Sequence, residues 1–540
     1  MPPSTTAPVR TATPAADTMT VSEAFYDVLR QQGVKAIFGN PGSNELTFLQ
    51  GLPSELPYYL ALNEGAAVAM ADGFAKASGT PGFVSLHAAA GTGNGMGALT
   101  NAADGHTPLV VLSGQQARRY VPVDALLTNV DAIKLCEPLV KWAGEPLRPE
   151  DGPALGSKAL MLAQTAPTGP VYLSIPLDDW RKPADAHAVE QLLARSISGG
   201  PAADESALAA LVAALDHASS PVMVLGPGAD TEDAFPAAIA LAEKAQLPVW
   251  IGPSPARWPF ATRHPNYQGE LPSAAGDVAD ILAGHDVVVC FGAPIFRYHA
   301  PSDGDFLASG TVLFGVTDDP DEAARAPVGH LIVGDPSNAL IRVSEKAAKS
   351  DRGTPTPRTV EVADPAGPPY GVAAIVEAID RGKTDETIIV LEWTSSDPVR
   401  DRFTITRAKS LYIPAAGGLG WGLPAAIGVQ LAEPDRRVLG ILGDGAMQYT
   451  TSGLWTAARH NVPVTFIVCT NTKYRALEEF SEVLHVPDAE YLDIPQIDIL
   501  KAAEAYGIPA VRVDTLDELS ETVSRSNEAT GPRLVEVLER

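Results

Sequence analysis

Residues 438–472 read VLGILGDGAMQYTTSGLWTAARHNVPVTFIVCTNT, and this stretch decides the fold. The apolar run Val438–Leu442 predicts a strand that ends in the glycine turn Gly443-Asp444-Gly445. A helix-like run over 451–459 and a second strand-like run then lead to Asn471, 27 residues after Asp444. This order of strand, helix and strand is typical of a parallel α/β sheet. We therefore expect Asp444 and Asn471 to meet at the carboxyl ends of neighbouring strands.

These two side chains suit a divalent cation. Carboxylate and amide oxygens are ligands that Mg²⁺ accepts, and Mg²⁺ usually takes phosphate oxygens as further ligands. The helix N-terminus beside Asp444 favours the phosphates themselves. A glycine–aspartate–glycine turn alone is weak evidence, because most such turns only connect elements. Followed at this spacing by Asn471, it indicates a diphosphate–Mg²⁺ site.

Glu64 lies where a strand-like segment enters the helical run Ala66–Ala77. An acid in the first turn of a helix interacts favourably with the macrodipole, which is the ordinary explanation for such a residue. The diphosphate motif favours another explanation, because the two motifs together resemble those of thiamin-diphosphate (ThDP) enzymes. In that family a glutamate of the amino-terminal domain hydrogen-bonds the aminopyrimidine ring of the cofactor. The resemblance implies this activating role for Glu64.

The two ends of the chain also resemble each other. Residues 83–111 and residues 437–467 both read strand, glycine turn, helix, polar break and strand. Such a pair of α/β halves fits a cofactor held between a pyrimidine-binding domain and a diphosphate-binding domain.

Length and composition limit the other possibilities. A chain of 540 residues with 45% apolar content predicts about three domains with large cores. The net charge of −26 argues against nucleic acid and against anionic membrane surfaces as partners. Cys136, Cys290 and Cys469 lie far apart in apolar contexts, which predicts buried free thiols. No apolar run reaches about 18 residues, and the amino terminus has no apolar signal-peptide core, so we expect a cytoplasmic protein.

The predicted fold class is α/β, with three doubly wound parallel-sheet domains of the ThDP-enzyme type. Residues 1–19 are rich in Pro, Thr and Ala and predict a disordered tail. The predicted domains are a pyrimidine-binding domain (20–183), a central α/β domain (206–347), a linker (348–369) and a diphosphate-binding domain (370–540). Residues 184–205 also read as a polar linker region.

Three glycine-rich segments leave alternatives open. Gly226-Pro227-Gly228 and Gly292-Ala293-Pro294 follow strands of the central domain and are either nucleotide-contacting turns or tight connections. The run Gly91–Gly97 partly resembles a dinucleotide fingerprint, but no suitable acid follows about 20 residues later. For this run we favour a close approach of the backbone to the cofactor or between subunits.

Longer stretches resemble the ThDP-dependent 2-oxo acid decarboxylases, and among them the benzoylformate decarboxylases. The similarity runs in order from Ser22 to Val537 across all three domains. The stretches that carry it are Phe38–Leu46, Leu86–Asn94, Ala125–Ala132, Pro294–His299 and Ala415–Gly428.

The resemblance implies catalytic roles for four residues. Ser43 corresponds to the serine that contacts the substrate carboxylate, and Glu64 to the glutamate that activates the cofactor. His87 and His299 correspond to the two histidines that handle proton transfers.

The resemblance also implies the cofactor, metal and substrate contacts. ThDP is assigned to Glu64, Thr394, Ser395, Gly417, Leu419, Gly443, Asp444, Gly445, Ala446, Asn471 and Tyr474. The Mg²⁺ ligands are Asp444, Asn471 and the main-chain carbonyl of Lys473. The substrate pocket is assigned to Ser43, Leu126, Ile413, Ala476 and Phe480.

Two departures from the family pattern concern the substrate. After Asn471 the family commonly has Gly-Thr-Tyr-Gly, whereas this chain has Thr472–Arg475, so Arg475 adds a charge near the expected substrate channel. Ile413 stands where the family often has an aromatic wall, while Phe480 keeps the second wall. Loss of one ring removes stacking area but leaves the decarboxylation chemistry untouched.

The resemblance implies the non-oxidative decarboxylation of a 2-oxo acid, benzoylformate-like and aromatic, to an aldehyde and CO₂. The main alternative is a ThDP-dependent carboligase of the acetolactate synthase type. An inert ThDP-fold subunit and a flavin-containing oxidase are further alternatives. The expected partners are a small-molecule 2-oxo acid and other copies of the chain, in a dimer or homotetramer whose subunits share active sites.

Overall fold

Three six-stranded sheets form the framework of the protein, and every strand pair within them is parallel. The computed structural model describes residues 19–197, 199–293, 295–360, 364, 366–393, 399–486 and 490–540. The predicted fold class of three parallel α/β sheets is confirmed. The predicted domain boundaries stay predictions, and the predicted tail lies outside the described residues except for Met19.

The first sheet is built from residues 37–176. Its strands are β1 (Ile37–Asn40), β2 (Tyr58–Leu60), β3 (Gly82–Leu86), β4 (Leu109–Gln115), β5 (Ala143–Gly144) and β6 (Val171–Pro176). Its helices are α1 (Val21–Gln31), α2 (Leu46–Leu49), α3 (Glu64–Ser78), α4 (Ala88–Asp104), α5 (Gly152–Gln164) and α6 (Ala186–Leu193). The strand order is β2-β1-β3-β4-β6-β5.

Helix α6 corrects the prediction of a linker over 184–205. The side chain of Asp185 accepts hydrogen bonds from His187 N and Ala188 N, which caps the helix. Val189 is buried in the core of the first sheet. The segment therefore belongs in part to the first core, because one apolar face of α6 packs there.

The second sheet is built from residues 221–333. Its strands are β7 (Pro221–Leu225), β8 (Val249–Ile251), β9 (Tyr267–Glu270), β10 (Val287–Phe291), β11 (Val312–Thr317) and β12 (His330–Val333). Its helices are α7 (Glu205–His217), α8 (Ala234–Ala245), α9 (Ala275–Leu282), α10 (Pro320–Arg325) and α11 (Pro336–Lys346). The strand order is β12-β11-β10-β7-β8-β9.

The glycine turns after β7 and β10 contact each other. Gly228 N donates to Gly292 O at 3.0 Å, and a Cβ on Gly226 would lie 2.3 Å from Gly292 O. Because the two turns occupy the space between the strand ends, they support the interpretation as tight connections over that of nucleotide contacts.

The third sheet is built from residues 388–538. Its strands are β13 (Ile388–Glu392), β14 (Leu411–Tyr412), β15 (Val438–Gly443), β16 (Thr465–Thr470), β17 (Ala510–Val513) and β18 (Arg533–Leu538). Its helices are α12 (Val372–Gly382), α13 (Gly422–Ala432), α14 (Asp444–Tyr449), α15 (Gly453–Arg459), α16 (Arg475–Val483), α17 (Ile499–Ala505) and α18 (Leu516–Ser526). The strand order β14-β13-β15-β16-β18-β17 repeats that of the first sheet, as the similarity of the two ends predicts.

Two local predictions were wrong in detail. The run Gly91–Gly97 is no turn but part of α4, where Gly91 and Gly95 let α4 approach Glu64 and Val68 of α3. The predicted turn Gly443-Asp444-Gly445 is likewise helical from Asp444, where α14 begins, whereas the predicted helix over 451–459 is confirmed as α15 (Gly453–Arg459).

Helices α3 and α13 join the first and third sheets at very close range. A Cβ on Gly428 would lie 1.9 Å from Met70 O, and one on Gly73 would lie 2.4 Å from Ala425 O. One buried apolar cluster spans the first and third sheets, and another spans the second and third. The contact therefore fixes α3, which begins at Glu64, relative to the loop that precedes α13.

The three cysteines are buried free thiols, as predicted. Among the described residues, no helix is long and apolar enough to cross a membrane.

Candidate active site

Asp444 and Asn471 follow neighbouring strands, as predicted. Strands β15 and β16 pair in parallel, with Gly443 opposite Cys469. The Asp444 side chain, which is buried, accepts from Gly445 N at 2.9 Å and from Thr472 N at 2.7 Å. Burial raises the pKa of Asp444. A buried carboxylate at this strand edge, with the Asn471 amide oxygen at the end of the next strand, is a donor set that fits Mg²⁺.

The glycines on either side of Asp444 have different surroundings. A Cβ on Gly443 would meet no atom of the described residues within 4 Å, so on their side the backbone there is open to a ligand. A Cβ on Gly445 would lie 2.9 Å from the ring of Tyr474, so only glycine fits beneath that ring. Ala446 is buried in the first turn of α14. Thr394 and Ser395 lie outside the described residues.

Glu539 orients Asn471, a role that the sequence did not reveal. Asn471 Nδ2 donates to Glu539 Oε2 at 3.3 Å, which fixes the face that the amide oxygen presents. The same Oε2 accepts from Trp393 Nε1 at 2.8 Å. Burial raises the pKa of Glu539. No local motif marks this glutamate, because β18 brings it to the site from near the end of the chain.

The positive charges after Asn471 are paired within the protein. Lys473 Nζ donates to Glu478 Oε1 at 2.7 Å. The role of the Lys473 main-chain carbonyl as a Mg²⁺ ligand stays a prediction. Arg475 donates to Glu479 at 3.0 Å and lies 3.5 Å from Glu539. The predicted extra charge of Arg475 is therefore neutralised locally.

Glu64 is held by two asparagine amides. Asn40 Nδ2 donates to Oε1 and Asn94 Nδ2 donates to Oε2, both at 3.1 Å. Asn63 caps α3, so Glu64 is its first residue, and Glu64 is only 8% exposed. A cap acid needs no such partners, so this arrangement favours the interpretation of Glu64 as a positioned functional carboxylate.

His87 is held by Glu45, which the sequence did not single out. His87 Nδ1 lies 2.8 Å from Glu45 Oε2, and Glu45 is fully surrounded, accepting also from Gly42 N and Gly114 N. A carboxylate oxygen accepts, so Nδ1 is the nitrogen that donates to Glu45, and no hydrogen bond within the described residues engages Nε2. The only signal in the sequence was that Glu45 lies in the same family-like stretch as Ser43.

Ser43 is exposed on the segment between Asn40, which contacts Glu64, and Glu45, which contacts His87. Its Oγ lies 3.5 Å from Asn44 Oδ1, so the hydroxyl has no strong partner among the residues that the structure describes. The segment from Asn40 to Glu45 thus holds Glu64 at one end and His87 at the other. We name the set Asn40, Ser43, Glu45, Glu64, His87 and Asn94 the amino-terminal cluster.

His299 stacks on Phe480. Their ring centroids are 4.4 Å apart at an interplanar angle of 24°, and His299 N donates to Ser273 O at 2.8 Å. Ala476 lies half-buried on the same helix as Phe480. We name His299, Asp444, Asn471, Tyr474 and Phe480 the carboxy-terminal cluster.

The other two residues assigned to the substrate pocket lie apart from this stack. Leu126 is 84% exposed, whereas Ile413 is buried in the core shared by the second and third sheets, and Ile413 N donates to Ala256 O. Within the described ranges, no hydrogen bond or ring contact connects the amino-terminal and carboxy-terminal clusters.

The loop before α13 carries Gly417 and Leu419, both exposed. Gly417 adopts a φ of 71°, in the region that favours glycine. Glu392, at the end of β13, accepts from Gly420 N, Trp421 N and Gly422 N at 2.6–3.3 Å. Burial raises the pKa of Glu392 to about 7. Glu392 thus anchors the end of the loop at residues 420–422, while Gly417 and Leu419 are exposed.

Three family models match the chain. They describe the N-terminal TPP (thiamine pyrophosphate) binding domain over residues 19–135, the central domain over 208–343 and the C-terminal TPP binding domain over 400–537 of thiamine pyrophosphate enzymes.

Individual relatives match nearly the whole chain. A benzoylformate decarboxylase from Pseudomonas aeruginosa is 47% identical, over 96% of this chain and 98% of its own. A 4-hydroxybenzoylformate decarboxylase from Rhodococcus jostii RHA1 superposes with a TM-score of 0.94 at 42% identity, over 97% and 99% of the two chains. A benzoylformate decarboxylase from Polynucleobacter necessarius gives a TM-score of 0.91 at 35% identity, over 96% and 98%. Acetolactate synthases match at lower identity, for example 25% for the large subunit from Haemophilus influenzae.

Proposed function

Because the chain belongs to the thiamine pyrophosphate enzymes, we propose that it catalyses the non-oxidative decarboxylation of an aromatic 2-oxo acid of the benzoylformate type. The products are an aldehyde and CO₂. The relative at 47% identity and the two structural neighbours carry decarboxylase names of this kind. Acetolactate synthases share much less of the sequence.

The observation that carries the proposal is the pair of positioned histidines. Bound ThDP supplies the nucleophilic carbon and the electron sink for loss of CO₂. Glu64, held by two amides, offers its carboxylate to the cofactor's aminopyrimidine ring. His87 offers a free Nε2 because Glu45 holds its Nδ1, and His299 is exposed on the face of Phe480. Two such imidazoles can act as general acid and general base in the reaction.

Ser43 and Phe480 account for the substrate class. The Ser43 hydroxyl lacks a strong partner and is free to donate to a substrate carboxylate. The ring of Phe480 and the stacked imidazole of His299 form a flat surface that suits an aryl group. Mg²⁺, held by Asp444, Asn471 and the Lys473 carbonyl, would bind the diphosphate.

We also propose a homo-oligomer, a dimer or a homotetramer, in which subunits share active sites. Among the described residues, no hydrogen bond or ring contact joins the Glu64 and His87 side of the proposed site to Asp444, Asn471 or the His299–Phe480 stack, as expected if the complete site combines residues from two chains. We propose a cytoplasmic location, which the three free buried thiols support.

The test is a substrate screen with ThDP and Mg²⁺. Phenylglyoxylate, phenylpyruvate, pyruvate and a branched 2-oxo acid are compared by release of CO₂ and of aldehyde, with the Glu64→Gln variant as the control for background decay. We expect the highest kcat/KM with phenylglyoxylate. Formation of acetolactate from pyruvate, without aldehyde from any aryl substrate, would instead establish the carboligase.

A further inference from the structure

A buried asparagine of the first sheet domain holds the loop that carries Gly417. Asn101, on α4, is 1% exposed. Its Oδ1 accepts from Ala416 N and its Nδ2 donates to Gly418 O, both at 2.9 Å. One side-chain amide therefore brackets Gly417 with a hydrogen bond on each side.

Gly417 itself is left free by this arrangement. Neither bond uses its N–H or its carbonyl, and a Cβ built on it would meet no atom of the described residues within 4 Å. Gly418, by contrast, fits tightly, because a Cβ there would lie 3.0 Å from Asn101 Nδ2 and 3.3 Å from Gly97 O. The contact thus fixes the peptide units around Gly417 and keeps its own polar groups available to a ligand.

Arg297 fixes the start of the same loop from the second sheet domain. Its guanidinium donates to Ala415 O and, at 2.8 Å, to Asp104 Oδ2. Asp104 is the last residue of α4, and Arg297 lies two residues before His299. One arginine therefore connects the Gly417 loop, the end of α4 and the segment that carries His299.

Helix α4 aligns these contacts with the amino-terminal cluster. His87 precedes the first residue of the helix, Asn94 holds Glu64 and Asn101 holds the loop, at intervals of seven residues. Residues seven apart complete almost two turns and so lie on the same face. Helix α4 therefore holds the loop at a fixed position relative to Glu64 and His87.

We infer that Asn101 and Arg297 are positioning residues that set the place of the Gly417 carbonyl and Leu419 for the aminopyrimidine-bearing cofactor. The inference rests on the proposed function only in taking ThDP as the ligand. Neither side chain needs to touch the cofactor, since each acts through the loop backbone.

The first test is calorimetric titration of ThDP, in excess Mg²⁺, into wild type and Asn101→Asp. The substitution keeps the acceptor for Ala416 N but places an oxygen against Gly418 O, which the native amide donates to. We expect ThDP to bind about tenfold more weakly, or worse. Asn266→Asp is the matched control, because the amide of the buried Asn266 also donates to backbone carbonyls, those of Ala242 and Leu247, but within the second sheet domain and not to the loop. It should lower the melting temperature without changing ThDP affinity more than about twofold.

The second test compares Arg297→Gln with Arg297→Lys. Loss of the charged donor should weaken ThDP binding about fivefold or more, and lysine should restore part of it because it keeps a cationic donor. Arg263→Gln is the control, since Arg263 also donates to the third sheet domain, to Arg402 O and Thr404 Oγ1, without reaching the loop.

The inference is overturned if Asn101→Asp and Arg297→Gln fold, lose melting temperature like their controls and still bind ThDP within about twofold of wild type. If one of the two variants does not fold, the other decides by the same criterion, and if neither folds, Asn101→Ala, which removes both hydrogen bonds to the loop, decides by it. The titration needs no turnover, so it is separable from the proposed reaction. A wild type that binds ThDP but decarboxylates no 2-oxo acid contradicts the function and leaves this inference to be judged by binding.

Discussion

At the scale of single residues, Glu64 has the most direct consequence. Glu64→Gln keeps the shape but removes the charged partner of the cofactor ring, so we expect turnover to fall on the order of 100-fold or more. Glu23→Gln is the matched control, because Glu23 is also a first-turn acid, in a capping box of α1. If both variants lose equally little activity, Glu64 is only a helix-stabilising acid. Steady-state kinetics, with circular dichroism to verify the fold, decides between the two roles.

Glu45 acts through His87, so we expect Glu45→Gln to change the tautomer of His87 and, through it, the turnover. A glutamine in its place can turn its amide NH₂ toward Nδ1 and so favour the other tautomer of the ring. We expect kcat to fall about 10- to 100-fold, as for other residues that orient a functional imidazole. Glu145→Gln serves as the control, since Glu145 accepts from Gln115 and Ser174 in the same sheet domain. An unchanged kcat and an unchanged pH profile of kcat in Glu45→Gln would remove Glu45 from the mechanism.

Asp444 is the only carboxylate among the predicted metal ligands. We expect Asp444→Ala to lose Mg²⁺-dependent retention of ThDP, and dialysis against a chelator to strip ThDP from the wild type. Asp498→Ala, which removes only an exposed helix cap, should retain the cofactor. ThDP that remains bound to Asp444→Ala after gel filtration in a chelator would show that the diphosphate lies elsewhere.

At the scale of elements, the crossing of α3 and α13 depends on glycine. A methyl group at Gly428 would lie 1.9 Å from Met70 O, so Gly428→Ala must push the helices apart. We expect a loss of about 2 kcal/mol or more in the free energy of unfolding, measured by urea denaturation. Gly371→Ala is the control, because its Cβ would meet no atom and its φ is −71°. Equal stability of the two variants would mean that the helices adjust without cost.

Elements that depend on local pattern were predictable, and those that depend on distant contacts were not. The run Val438–Leu442 placed Asp444 correctly at the end of a strand, because strand periodicity acts within a few residues, although the predicted turn there is the first turn of α14. The glycines of α4 predict a turn in isolation, and only their packing on α3 makes helix the better state. Glu45, Asn101 and Glu539 were missed because each owes its role to a partner on a different element.

At the scale of the whole molecule, His106 connects the first and second sheet domains. Its Nε2 lies 3.7 Å from Glu322 Oε1 and 4.0 Å from Asp319 Oδ2, and Asp318 adds negative charge nearby. The close Glu322 carboxylate and these charges raise the pKa of His106 above its ordinary value despite burial. A raised histidine pKa contributes stability that is complete below the unfolded-state value and is lost as pH rises through the folded-state value.

We therefore expect the melting temperature of wild type to exceed that of His106→Gln at about pH 6, with the difference shrinking as pH rises through the neutral range. His187→Gln is the control, because His187 lies 4.0 Å from Glu190 on an exposed helix of one domain. A difference between wild type and His106→Gln that stays constant from about pH 6 to about pH 8.5 would show that the contact is not ionic.

The contacts along α4 also limit where residues can be inserted into or deleted from the chain. One extra residue between Asn94 and Asn101 would rotate everything after it by about 100°, carrying Asn101 and Asp104 away from their partners. We therefore expect insertions and deletions within residues 88–104 to abolish cofactor binding. They should be tolerated at exposed turns such as those at Gly304 and Gly310, which are the places to graft a tag or an additional domain.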